Sequence, residues 1–88
     1  MRAVLTVIGK DKVGIIADVS VKLAELNINI VDVSQTILDD FFTMMMLLEL
    51  GENHDFVAVR KELSDLGDEL GLKISIQNEA IFDAMHKL

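Results

Sequence analysis

A chain of 88 residues, 51% apolar, carries fifteen acidic against eight basic side chains and no cysteine. That length makes one domain with a core, and the longest apolar runs fall far short of the ~20 residues that a bilayer span needs. The net charge of −7, with no Trp or Tyr, excludes a phosphate-tracking or base-stacking surface, and the missing thiols exclude disulfides, thiolate metal sites and thiol catalysis.

Met1-Arg2-Ala3 leads directly into an apolar run, with no cleavage site, so the sequence predicts no signal peptide and a cytoplasmic protein. From Arg2 to Ile8, only Thr6 interrupts the apolar residues Ala3, Val4, Leu5, Val7 and Ile8. Branched side chains on both parities predict a strand covered on both faces. Gly9-Lys10-Asp11-Lys12-Val13-Gly14-Ile15 then turns into a helix predicted from about Val13 to Leu26, its apolar stripe Ile16, Val19, Leu23 and Leu26. The first turn of a helix leaves about four N–H groups unpaired, where the peptide dipoles add partial positive charge. A small carboxylate is a natural guest there.

Asn27 suits the left-handed cap of that helix. Ile28 to Leu38 reads as a long second strand whose alternation changes parity: Ile28 and Ile30 fall on one, Val31, Val33 and Ile37 on the other. A bulge near Ile30-Val31 is expected. Leu38-Asp39-Asp40-Phe41 reads as a hairpin turn into a third strand, Phe42 to Leu50, whose unbroken apolar character predicts a central position. Its three methionines cannot converge on one ion, because successive strand residues face opposite ways. Asp39 and Asp40 are solvated turn residues on this reading, not a cation site.

Asn53 or Asp55 caps a second helix carrying Phe56, Val59, Leu63, Leu66 and Leu70, with Gly71 as its C-terminal cap. Leu72 to Gln77 alternates as a fourth strand. Asn78 opens a short helix over 78–88 with Ile81, Met85 and Leu88 in a stripe and Phe82 beside it, expected to cover the core or a dimer interface. The order predicts an α+β, ferredoxin-like βαββαβ domain over residues 1–88, with two helices on one face of a four-stranded antiparallel sheet. The other face and the second strand's edge then lack a cover, which predicts a homodimer.

His54 and His86 have no nucleophile or metal-ligand spacing beside them, so they read as surface or capping residues. Asp11, Gly14 and Asn29 are more informative. Backbone N–H groups at Gly14 and Ile15 can hold a carboxylate, while the Asp11 carboxylate and Asn29 amide can take an ammonium. This needs the turn after strand one and the start of strand two to lie at one end of the sheet or to meet across a dimer. The plain alternative is that Asp11 caps the helix and Asn29 bonds backbone locally.

The run Gly9-x-Asp11-x-x-Gly14-Ile15-x-Ala17, with Val19-Ser20, Leu23, Asn29-Ile30-x-Asp32, Ser34-Gln35 and Phe42-Thr43-Met44, resembles the ACT domain family. It is most similar to small stand-alone members akin to the glycine-cleavage regulatory repressor group. The resemblance implies a non-catalytic regulatory domain with no cofactor. It also implies a homodimer and a small ligand, commonly an amino acid, at the subunit interface, touching Asp11, Lys12, Val13, Gly14 and Ile15 of one chain and the position of Asn29. Val13 stands where many members have proline. Two other classes fit the fold: an interaction module without a ligand, docking through its sheet face or acidic helices, and an acylphosphatase-like enzyme. The latter would need an arginine in the glycine turn, which this chain lacks.

Overall fold

The two-sided apolar run forms β1 (Arg2–Lys10), the second element from one edge of a four-stranded sheet. A computed structural model describes residues 1–10 and 12–86, the side chains of 82, 85 and 86 excepted. After β1 come α1 (Ile15–Glu25), β2 (Asn29–Leu38), β3 (Phe41–Glu49), α2 (Phe56–Leu70), β4 (Lys73–Asn78) and α3 (Glu79–His86). The sheet order is β2-β3-β1-β4 and every pairing is antiparallel. This is the expected ferredoxin-like arrangement, with β3 central and β2 at an edge.

Alternation decides which residues enter the core. Ala3, Leu5 and Val7 of β1 stand opposite Leu48, Met46 and Met44 of β3, and all six are buried. Met45 points to the other face. Leu72, Ile74 and Ile76 extend the same buried layer. α1 contributes Ile15, Val19 and Leu23, and α2 contributes Val59 and Leu63. The stripe of α1 therefore runs 15-19-23, so Ile15 replaces the expected Ile16, which is 40% exposed. The cause is that the helix starts at Ile15, which places that residue over the sheet.

β2 bulges where its pattern changes parity. Ile30 pairs with Leu48 and Asp32 with Leu47, leaving Val31 as the extra residue. The bulge returns Val33, Gln35 and Ile37 to the face that carries Ile30, opposite Met46, Met44 and Phe42. Neither helix covers that end of the edge strand fully: Val33 and Ile37 stay 43% and 55% exposed. On the far face, Val4, Met45 and Leu47 border a shallow apolar pocket of about 220 Å³.

The connections obey local chemistry. Asn27 adopts φ 59 after α1, and Asp39 φ 58 begins the two-residue turn between β2 and β3. The Asp55 carboxylate accepts from the N–H groups of Val57 and Ala58, at 3.0 and 3.4 Å, and so caps α2. Asn78 does the same for α3 through Ala80 N–H at 2.8 Å. That helix lies against β1 and β4; of its expected apolar stripe, the side chains of Phe82 and Met85, and Leu88 itself, lie outside the described residues, as does the side chain of His86. No helix among the described residues is long and apolar enough to cross a membrane.

His54 is a structural staple. Gly51 N–H donates to its Nδ1 at 2.8 Å, so the ring proton sits on Nε2 and donates to the half-buried Leu26 carbonyl, also at 2.8 Å. One ring thus ties the end of α1 to the loop before α2. Its replacement, His54→Ala, is expected to cost about 1 kcal/mol net, near 5 °C in Tm. An unchanged unfolding temperature would mean water satisfies both backbone groups equally well.

Candidate functional site

The turn between β1 and α1 is held open by Gly14, with φ 88 and ψ 5. An L side chain rarely adopts that backbone, but glycine does so freely. The helical ladder starts with Asp18 N–H donating to the Gly14 carbonyl at 2.9 Å. The N–H groups of Ile15, Ile16 and Ala17 precede it, and among the described residues no side chain caps this end. Chain neighbours aside, no described atom lies within 4 Å of the place a Gly14 Cβ would occupy. The result, among the described residues, is a set of N–H donors without a partner at the positive end of a helix dipole.

These donors border a groove of about 200 Å³ whose other walls are Gln35 and Ile37 of β2 and Phe42 of β3. The floor is apolar, and the Gln35 carboxamide supplies a donor and an acceptor at its rim. A volume of this size lies below the usual ~300–1,000 Å³ of drug-sized sites. It suits a small molecule, or one half of a site that a second surface completes.

The expected residues divide into three groups. Lys12, Gly14 and Ile15 border this groove, while Val13 projects wholly into solvent beside it. Asp11 lies outside the described residues. Asn29 is at the opposite end of the sheet: it pairs with Glu49, which pairs with Arg2, whereas the turn follows Lys10, which pairs with Phe41. From Phe41 to Glu49 is about 27 Å along an extended strand. Within one chain, therefore, Asn29 and Gly14 do not meet. The reason is the crossover itself: α1 carries the chain back along the sheet, so β2 begins at the same end as β1, with β3 between them.

Lys12 does more than line the groove. Its Nζ donates to the Leu70 carbonyl, at the C-terminal end of α2, where a cation also meets the negative end of the helix dipole. The turn is thereby tied to the second helix. Gln35 takes the polar place in the groove that Asn29 was expected to fill. Its proximity follows from the Val31 bulge together with the antiparallel register. Among the described residues no cluster of His, Asp or Glu has the arrangement of a metal site.

A family model described as the ACT domain matches residues 2–77. A UPF0237 protein of Listeria innocua is 65% identical over 89 aligned positions, covering 100% of both chains. An ACT domain protein from Streptococcus pneumoniae has a solved structure that superposes with TM-score 0.85 at 52% identity, covering 98% of each chain. A solved protein described as a glycine cleavage system transcriptional repressor shares the fold, with TM-score 0.80 at 18% identity. That match covers 86% of this chain and 45% of the other.

Proposed function

The chain belongs to the ACT domain family, and from that premise we propose that it is a non-catalytic, homodimeric regulatory domain of the cytoplasm that binds a small amino acid. The observation that carries this reading is the N-terminus of α1, which no side chain caps among the described residues and which Gly14 opens onto a groove of about 200 Å³. The ligand carboxylate is received by the N–H groups of Ile15, Ile16 and Ala17, where Gly14 permits close approach. Lys12 and Val13 shape the turn, and Asp11 is proposed to face the ligand ammonium.

The polar group that completes the site has two sources. Gln35 stands in the same chain. Asn29, distant within the chain, reaches the turn only as a residue of a second copy. The exposed edge of β2 and the apolar far face around Val4, Met45 and Leu47 support association, because such surfaces are seldom left in water. Occupancy between two subunits would bias how they sit, which a regulated partner protein can read.

The test is thermal unfolding with each standard amino acid at millimolar concentration, run beside light scattering. A ligand at about 100 times its dissociation constant adds about 2.7 kcal/mol, a shift of ~10 °C or more in so small a domain. Loss of that shift in Gln35→Ala alone assigns the site to one chain. Loss in Asn29→Ala alone assigns it to the dimer interface. A monomer by light scattering, or no shift with any amino acid, would overturn the corresponding half of the reading.

A further inference from the structure

The outer surfaces of α1 and α2 leave a second groove, of about 340 Å³, on the side away from the sheet. Its floor is Val21, 57% exposed, with the half-buried Leu66 and Leu70. Asp18, Glu25 and Glu69 stand around it. Lys22 also borders the groove and is bound to Glu62 of α2 at 2.6 Å. Its ammonium is held above the ordinary lysine range, first by that hydrogen bond and, more weakly, by the charges of Glu62, Glu25 and Glu69, with desolvation opposing. Asp18, Glu25 and Glu69 have no cation within ion-pair distance among the described residues. Three carboxylates without an ion-pair partner among the described residues therefore surround an apolar floor, while the Lys22 ammonium is already taken by Glu62.

We propose that this groove docks an amphipathic helix of a partner protein, with aliphatic side chains on Val21, Leu66 and Leu70 and Lys or Arg side chains against Asp18, Glu25 and Glu69. The charge determines the class of occupant. Nucleic acid and anionic lipid are repelled, and the same face of a second copy would set its own Asp18, Glu25 and Glu69 against these. Lys22 shows within the chain how an ammonium is received there. The shape agrees as well: the lining runs from Asp18 to Glu25 on α1 and from Leu66 to Leu70 on α2, about 10 and 6 Å of helix, so the trough seats about two turns of a partner helix, read through i and i+3/i+4 anchors. The helix would add a layer over α1 and α2 and leave the amino-acid groove free. This proposal stands independently of the ligand reading.

The probe is a synthetic helical peptide of about 14 residues with Leu on one face and Lys on the other, about four turns. It is titrated into the isotopically labelled protein while backbone amide shifts are followed. Saturable shifts centred on Val21, Leu66 and Leu70 are expected. They should weaken about ten-fold or more in the double variant Glu25→Lys/Glu69→Lys. Both changes lie at exposed helix positions, and an unaltered circular dichroism spectrum checks that the fold survives. Oligolysine of the same length tests charge alone, and a Leu/Glu peptide tests the apolar face alone. The proposal is overturned if oligolysine binds as well, if the Leu/Glu peptide binds as well, if shifts centre on Val4, Met45 and Leu47, or if none appear.

Discussion

Gly67→Ala is expected to lower Tm by about 10 °C, although alanine is the better helix former by about 1 kcal/mol. A Cβ on Gly67 would lie 2.7 Å from the Leu72 carbonyl oxygen, 3.1 Å from Ile74 Cγ1 and 3.3 Å from Ile74 N. The first of these is a backbone atom that cannot rotate away. It is also pinned: Leu72 N–H donates to the Gly67 carbonyl at 2.8 Å, and Gly71 N–H to Asp68 at 3.4 Å. This is the Schellman arrangement, with Gly71 at φ 71 in the left-handed position. It folds the start of β4 back onto the helix it has just left. Relief requires β4 to move away from α2, and overpacking of this kind costs about 1–3 kcal/mol. The upper end applies because two backbone atoms are involved, so about 2 kcal/mol remains after the propensity gain. Ser64→Ala, on the exposed side of the same helix, provides the control and should change stability by only a few tenths of a kcal/mol, about 0.3. If Gly67→Ala melts at or above the unsubstituted protein, α2 and β4 are not in the close contact described.

Gly67 also marks a boundary of what the chain reveals before it is folded. The apolar spacing of α2, the Asp55 cap and the Gly71 stop depend on residues a few positions apart, and the structure has all three. The bulge at Val31 was legible for the same reason, because a break in alternation is a local signal. The closeness of Gly67 to Leu72 depends on how the chain returns after the helix, which periodicity does not register. His54 is similar: its partner, the Leu26 carbonyl, is 28 residues away, and nothing beside either residue predicts the other.

The candidate site divides along the same line. The open turn at Gly14 follows from local residue types. The distance of Asn29 does not, yet topology contained it: a helix that crosses back between parallel strands puts the start of the second strand at the end remote from the first turn. β1 and β2 both run antiparallel to β3 and hence parallel to each other. Element order, taken one step further, therefore keeps Asn29 away from the turn within one chain and brings the far half of β2, with Gln35, to the turn. A glycine and an amide can belong to one site only if topology or symmetry unites them. This makes oligomeric state a premise of any Asn29 role.

Gly14→Val should lose about 1–2 kcal/mol of stability and the whole amino-acid-dependent shift, and the two losses have separate causes. The stability loss is backbone strain, because φ 88 lies in the region that costs an L residue about that amount. It is not a clash, since, chain neighbours aside, an added Cβ meets no described atom within 4 Å. The expected binding loss is steric, because the branched side chain stands where the proposed ligand's carboxylate would approach the N–H groups of Ile15, Ile16 and Ala17. Gly14→Asn separates the effects. Asn tolerates left-handed backbone, so it should unfold within ~1 kcal/mol of the unsubstituted protein, while its side chain obstructs the same mouth and competes for the same donors. A near-normal Tm with a ligand shift cut to a fraction is therefore expected for Asn, and both losses for Val. Retention of the full ligand shift in Val would remove the N-terminus of α1 from the site, whatever the stability of either variant.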